Sequence, residues 1–126
     1  MNSLIFVALG GALGACLRFL WGVGLYRLLG GPTGFPIAIL SANVIGSFLM
    51  GAFVVLAAQR GMMHLSPFVM VGLLGGFTTF SAFSLEAVTM IERGATGAAM
   101  LYVVLSVLMS IGGLMAGMWL MRGVLS

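Results

Sequence analysis

Four long runs of apolar residues, separated by short polar intervals, dominate the hydropathy pattern of the chain. A helix needs about 20 apolar residues to cross the hydrocarbon core of a bilayer, and each run reaches that length. Because the intervals are short, sequential helices should be antiparallel neighbours in one domain over residues 1–126. The pattern predicts an all-α integral membrane protein with four transmembrane helices, at about 4–28, 36–58, 67–91 and 97–121.

Local signals mark where the predicted helices begin. Pro36 suits the first turn of the second helix, since its missing N–H would be unpaired there. Ser66 and Pro67 predict an N-cap followed by a proline at the first position of the third helix.

Composition supports lipid as the solvent of this chain. Hydrophobic residues make up 62% and charged residues 6% of the sequence, whereas about a quarter of an average globular protein is charged. The composition excludes a soluble domain, and the scattered arginines exclude a nucleic-acid partner. Cys16 is the single cysteine, so no intrachain disulfide can form. No catalytic constellation is present, and the sequence therefore predicts that the protein is not an enzyme.

The arginines are balanced across the membrane. In a four-span topology Arg60 and Arg122 fall on one side, Arg27 and Arg93 fall on the other, and Arg18 lies inside the first helix. Lys and Arg near the span ends set the orientation of a membrane protein, and here they give no consistent direction. One hypothesis is insertion in both orientations, giving an antiparallel homodimer. A single orientation fixed by weaker signals is the alternative.

Small residues at helical spacing predict close contact between helices. Three GxxxG pairs and one related pair occur: Gly10 with Gly14, Gly72 with Gly76, Gly113 with Gly117, and Ser47 with Gly51.

Polar side chains recur on the second and fourth helices, where burial in lipid is costly. Asn43 is accompanied by Ser41 and Ser47 on the second helix. A hydroxyl repeats every four residues on the fourth, at Tyr102, Ser106 and Ser110. An isolated Ser or Thr usually bonds the carbonyl one turn earlier, but a stripe beside an intramembrane Asn favours a polar pathway.

The centre of the third helix is its least regular part. Gly75 and Gly76 are followed by Thr78 and Thr79, a sequence that makes a poor continuous helix. Irregular backbone at membrane depth is tolerated where it is buried in protein or lines a cavity, and its freed carbonyls can bind a cation. The pattern predicts a helix broken near its centre.

Phe80 and Phe83 share one helical face beside the predicted break. The edge of a phenyl ring is electropositive, so ring edges together with hydroxyl and amide donors can host an anion. Ordinary core packing of the phenylalanines is the alternative.

Three segments resemble motifs of the small bacterial fluoride channels, the family called Fluc or CrcB. The segments are Gly75-Gly76-Phe77-Thr78-Thr79-Phe80-Ser81-Ala82-Phe83-Ser84-x-Glu86, Gly10-Gly11-Ala12-Leu13-Gly14-Ala15-x-x-Arg18-Phe19 and Asn43-x-x-Gly46-Ser47-Phe48-x-x-Gly51. The resemblance implies a dual-topology homodimer in the bacterial inner membrane. It also implies passive export of cytoplasmic fluoride through two antiparallel pores, with one sodium ion at the dimer centre.

The resemblance also implies roles for individual residues. The vestibule arginine of the family corresponds to Arg18, and the sodium-binding backbone carbonyls correspond to Gly75 and Thr78. The expected fluoride pathway corresponds to Asn43, Phe80, Phe83, Tyr102, Ser106 and, as an extension, Ser110.

The sequence departs from the family at Ala38 and Ile39, where Gly-Thr is usual, and Ser41 is a possible replacement for the lost hydroxyl. Two other functions stay open. Glu86 is a carboxylate that a proton-coupled exporter of the small multidrug type would need, although that family places its essential Glu in the first helix. A structural subunit of a larger membrane complex is the other alternative.

Overall fold

The computed structural model of the protein describes residues 2–126, with side chains from Ser3 onward, so Met1 of the predicted domain lies outside the described residues. The described chain is helical, and four of its spans are long and apolar enough to cross a membrane. This confirms the predicted all-helical class. The elements are α1 (Asn2–Leu28), α2 (Ile37–Arg60), a 3-10 turn (Met63–Leu65), a π-helical segment (Pro67–Leu74), α3 (Gly75–Phe77), α4 (Ser81–Glu92) and α5 (Thr96–Leu125).

The end of α2 depends on a glycine. Gly61 has φ 67° and ψ 32°, the left-handed conformation that a side chain disfavours, and its N–H bonds the carbonyl of Ala57. On the opposite side of the membrane, Nη2 of Arg93 donates to the carbonyl of Gly34 at 3.0 Å. This hydrogen bond joins the loop after α4 to the loop after α1.

The predicted N-cap at Ser66 is wrong. Ser66 has helical backbone angles, φ −53° and ψ −43°, and its side chain makes no capping hydrogen bond. The 3-10 turn before it already carries the chain into a helical path, since the Ser66 N–H bonds the carbonyl of Met63. Pro67 does occupy the start of the following helix, as expected.

Glycines bring α1 into backbone contact with the third span. A Cβ atom on Gly72 would lie 2.9 Å from the Cα of Gly10, and one on Gly76 would lie 2.8 Å from the carbonyl oxygen of Gly11. A Cβ on Gly14 would lie 2.8 Å from the backbone nitrogen of Phe77. These separations leave no room for a side chain, so the GxxxG pairs of the two spans pack as predicted.

A second glycine contact joins α2 to α5. Gly51 lies against the carbonyl of Leu114, and a Cβ on Gly117 would lie 3.0 Å from the backbone nitrogen of Ala52. The two close contacts hold the four spans as two pairs, α1 with the third span and α2 with α5.

One cluster of buried residues lies between α4 and α5 and consists of Ala87, Met90, Ala99 and Tyr102. By contrast, α5 exposes a row of large apolar side chains: Leu108, Ile111, Met115 and Trp119. Such a surface suits hydrocarbon and not water.

Replacing Gly14 by Ala should destabilise the fold, because the new methyl group would overlap the backbone at Leu73 and Phe77. We expect Gly14→Ala to lower the free energy of unfolding by about 1–3 kcal/mol, as overpacking does. The measurement is titration with SDS in mixed micelles, followed by circular dichroism.

Gly24→Ala is the matched control on the same helix, since no atom lies within 4 Å of a Cβ at that position. Equal stability of the two variants would contradict the predicted backbone contact.

Candidate ion pathway

A cavity of about 420 Å³ lies between α2, α5 and the irregular part of the third span. We call it the central cavity. Of the nine predicted site residues, seven line it, and Arg18 and Tyr102 do not. The lining residues are Asn43, Ser47, Gly75, Thr78, Thr79, Phe80, Phe83, Ser106, Val107, Ser110 and Ile111.

The third span is interrupted where it borders this cavity. α3 ends at Phe77, Thr78 has an extended backbone with φ −89° and ψ 158°, and α4 begins at Ser81. Gly75 and Gly76 are still helical, so the change of direction follows the glycine pair. The β-branched threonines, which disfavour helix, lie in the non-helical segment itself.

Asn43 binds the interrupted backbone through both ends of its amide. Its Nδ2 donates to the carbonyl of Thr79 at 3.1 Å, and its Oδ1 accepts from the N–H of Thr79 at 2.8 Å. The Asn43 amide thereby replaces the partners that a continuous helix would supply. An amide nitrogen carries two N–H groups, so one donor of Asn43 remains for the cavity.

The interruption removes the helical donors of the Gly75 and Thr78 carbonyls. In a continuous α-helix the N–H of Thr79 would bond Gly75 and the N–H of Ala82 would bond Thr78. Here Thr79 donates to Asn43, and Ala82 donates to Oγ1 of Thr79 at 3.1 Å. The carbonyls of Gly75 and Thr78 therefore lose their helical donors, and both residues line the central cavity.

Two hydroxyls on α5 are buried and have no hydrogen-bond partner among the described residues. They belong to Tyr102, which is 0% exposed, and Ser106, which is 5% exposed. An unpaired buried hydroxyl costs about 1–3 kcal/mol, so two on one helical face need an explanation. Ser110, one turn further along, also faces the cavity.

Other hydroxyls in the spans are satisfied by the backbone. Each donates to the carbonyl four residues earlier, at 2.7 to 2.9 Å: Ser41, Thr78, Ser84 and Thr89. This is the ordinary behaviour of a serine or threonine in a membrane helix. Tyr102 and Ser106 differ from them because their hydroxyls have no partner, and Ser106 lines the central cavity.

Aromatic rings connect Tyr102 to the central cavity. The centroids of Phe80 and Phe83 are 5.4 Å apart, and those of Phe83 and Tyr102 are 5.2 Å apart. Phe83 also packs against the buried core, whereas Phe80 is 78% exposed. Ordinary core packing, the alternative role considered for these phenylalanines, therefore describes Phe83 in part and does not describe Phe80.

Arg18 lies away from the central cavity. Its Nε donates to the carbonyl of Gly76 at 3.3 Å, and its side chain lines a separate cavity between α1 and α2. Ala38 and Ile39, the departures from the family pattern, line this second cavity as well.

Ser41 does not supply the missing hydroxyl to the central cavity. Its oxygen accepts from Nε1 of Trp21 at 2.9 Å and donates to the carbonyl of Ile37 at 2.7 Å. The first hydrogen bond joins α1 to α2 and the second stays within α2, so both bonds of this hydroxyl are structural.

The sequence did not predict the hydrogen-bond partner of Asn43 or two apolar residues that line the cavity. Val107 directly follows Ser106, and Ile111 directly follows Ser110. This adjacency to predicted site residues is the sequence feature that could have identified them. The pairing of Asn43 with Thr79 could not be predicted from residue types, because it uses the backbone groups of Thr79. Those groups are free to bind Asn43 only because the helix is interrupted.

Replacing Asn43 by Leu should destabilise the protein, because the N–H and carbonyl of Thr79 would both lose their partner. We expect a loss of about 1–3 kcal/mol in the free energy of unfolding, measured by SDS titration in mixed micelles. Ser47→Ala is the control, since Ser47 lines the same cavity on the same helix. A stability of Asn43→Leu equal to that of the control would contradict the assigned hydrogen bonds.

The sequence matches one protein family and several relatives of known name. Residues 5–118 match the CrcB-like protein family, described as Camphor Resistance (CrcB). The fluoride-specific ion channel FluC of Roseobacter denitrificans is 68% identical over 124 residues, covering 98% of each chain. FluC of a Ruegeria species is 64% identical over the same coverage, and FluC of Agrobacterium fabrum is 44% identical over 97% of this chain and 98% of its own. The chain belongs to the CrcB family.

Proposed function

We propose that this protein is a fluoride-selective channel that lets cytoplasmic fluoride leave the cell passively, down its electrochemical gradient. The observation that carries the proposal is the buried, unpartnered hydroxyl of Ser106 in the lining of the central cavity, with a second unpartnered hydroxyl, that of Tyr102, one turn earlier on α5. Family membership and relatives named as fluoride-specific ion channels support the same function.

The chemistry of the cavity suits a small anion. Fluoride holds its water strongly, so a pore must replace water with hydrogen-bond donors at each step. The free N–H of Asn43 and the hydroxyls of Ser106 and Ser110 supply such donors along one wall. No arginine lines the central cavity within the described part of the chain. The anion would therefore interact with neutral dipoles, whereas a full positive charge would bind it too tightly to release.

Phe80 and Phe83 also line the proposed pathway. Their rings lie in contact at the cavity, and the edge of each ring carries the positive part of its quadrupole. Together with the neighbouring amide and hydroxyl donors, these edges would stabilise fluoride without binding it tightly.

The working unit of the proposed channel is an antiparallel, dual-topology homodimer with two pores. Balanced arginines on the two sides of the membrane support insertion in both orientations. Phe80, Val107 and Ile111 line the central cavity and yet are exposed in the single chain. A second copy would cover these side chains and complete the wall of each pathway, while the interruption at Thr78–Phe80 would persist in the assembled channel.

A sodium ion is proposed at the interruption. Hard cations prefer oxygen ligands, and the carbonyls of Gly75 and Thr78 have lost their helical donors. These two carbonyls would hold the ion, which would supply a positive charge near the middle of a low-dielectric assembly. No cluster of His, Cys, Asp or Glu that could hold a metal occurs between Asn2 and Ser126.

The chain is a multi-pass protein of the bacterial inner membrane and is not an enzyme. The proton-coupled alternative lacks support in the site, because Glu86 lines a different cavity from the central one. No carboxylate occurs among the described lining residues of the central cavity.

Liposomes that contain only the purified protein test the proposed function. They should release fluoride rapidly and chloride far more slowly, measured with ion-selective electrodes. Ser106→Ala should slow fluoride release by about tenfold or more, because it removes an unpartnered donor that is not replaced by water in a narrow pore. The unfolding free energy should not fall, since no protein hydrogen bond is lost and an unpaired buried hydroxyl is removed.

Ser84→Ala is the matched control, since the Ser84 hydroxyl bonds the carbonyl of Phe80 and lies outside the cavity lining. Its fluoride release should stay near that of the unaltered protein. Absence of fluoride release from the unaltered protein would contradict the channel function. Equal release by Ser106→Ala and Ser84→Ala would contradict the role of the α5 hydroxyls.

A further inference from the structure

Arg18 forms a hydrogen bond between two spans, and the vestibule role that the family resemblance implies does not require this bond. The side chain is partly buried in the middle of α1, and its Nε donates to the carbonyl of Gly76 at 3.3 Å. The two residues are 58 positions apart in the chain, so the hydrogen bond joins two membrane spans.

The carbonyl that accepts this bond lies where a partner is needed. α3 ends at Phe77, so Gly76 belongs to the last turn of a helix, where carbonyls lack an intrahelical donor. Such a helix end carries partial negative charge, and arginine near it is favourable. At membrane depth an unpaired carbonyl is costly, because lipid offers no replacement donor.

The packing of α1 explains how Arg18 reaches this carbonyl. Gly14, one turn before Arg18, lies against the backbone of Leu73 and Phe77. Gly76 itself contacts the backbone of Gly11. The close approach of the two spans places a side chain on this face of α1 directly beside the end of α3.

Arg18 and Asn43 act on neighbouring parts of the same interruption from different helices. Asn43, on α2, pairs with both backbone groups of Thr79. Arg18, on α1, pairs with the carbonyl of Gly76, which lies in the chain between Gly75 and Thr78. The interrupted backbone is thus fixed on both sides of Thr78.

We propose that Arg18 is a positioning residue that caps the C-terminus of α3 and fixes the interrupted backbone, in addition to any effect of its charge on anions. Its loss would loosen the segment from Gly76 to Phe80 and, with it, the orientation of the Gly75 and Thr78 carbonyls. The consequence for flux rests on the proposed function, whereas the consequence for backbone order does not.

The variant Arg18→Lys distinguishes the effect of the Nε hydrogen bond from the effect of the positive charge. Lysine keeps the positive charge, but a methylene carbon takes the place of Nε, so the donor at that position is lost. Arg27→Lys is the matched control, because Arg27 is an exposed arginine in the last turn of the same helix. The full-length protein is reconstituted in bilayers, and hydrogen exchange of its backbone amides is followed by mass spectrometry.

The amides of Thr78, Thr79 and Ala82 report on the interruption, since each donates a hydrogen bond there. We expect them to exchange about tenfold faster in Arg18→Lys than in Arg27→Lys, as loss of a charge-assisted hydrogen bond predicts. Equal exchange in the two variants would overturn the proposal. This result does not depend on fluoride conduction, so it separates failure of the cap from failure of the channel function.

Flux gives a second, independent readout of the same variants. Loss of the cap should lower the limiting fluoride flux of Arg18→Lys and leave its half-saturating fluoride concentration unchanged, because the charge remains. Where the unaltered protein conducts fluoride, a limiting flux of Arg18→Lys equal to that of Arg27→Lys would contradict the proposal.

A measurement on the unaltered protein covers the case in which Arg18→Lys does not fold. Solid-state NMR should detect dipolar coupling between ¹⁵Nε of Arg18 and the ¹³C carbonyl of Gly76 in bilayers. Absence of that coupling would also overturn the proposal.

Discussion

In a hydrocarbon solvent each backbone N–H and carbonyl must find a partner within the protein, and the interruption of the third span is where this requirement is hardest to meet. The amide of Asn43 pairs with Thr79, and the hydroxyl of Thr79 pairs with the N–H of Ala82. Nε of Arg18 pairs with Gly76. The site is therefore organised by groups that compensate for a broken helix, and the glycine contacts between the spans bring those groups within reach.

The need for every polar group to have a partner also divides the hydroxyls of the spans into those that bond the backbone and those that have no partner. Ser41, Ser84 and Thr89 donate to the preceding turn of their own helices and need nothing from a ligand. Tyr102 and Ser106 are buried as deeply as core residues and make no such bond. A chain that leaves two buried donors unpaired loses stability unless something accepts from them. Ser106 lines the central cavity, where a permeating anion with strong acceptor capacity would accept its hydrogen bond.

The sequence predicts much of the fold because lipid demands a simple pattern. Runs of about 20 apolar residues mark the four spans, and GxxxG pairs mark where their backbones touch. The cap at Ser66 was predicted wrongly, because the 3-10 turn before it depends on backbone geometry and not on residue type. The intramembrane polar residues also predicted most of the central cavity, since burial in lipid makes each of them conspicuous.

Other features depend on three-dimensional contacts that no local pattern encodes. The second hydrogen bond of Ser41, from Trp21, joins two helices whose relative rotation the sequence does not specify. The bond between Arg18 and Gly76 likewise requires the α1 contact and the end of α3 together. An arginine within an apolar helix indicates a special role, but only its acceptor reveals which one.

The central claim is that the cavity beside the interrupted span conducts fluoride without proton coupling. The most direct test is the reversal potential of the current through the purified protein in a planar bilayer, with opposed fluoride and pH gradients and symmetric chloride. A fluoride channel should reverse at the equilibrium potential of fluoride, with no change when the pH gradient is inverted. A reversal potential that follows the proton gradient, or an absence of fluoride current, would contradict it.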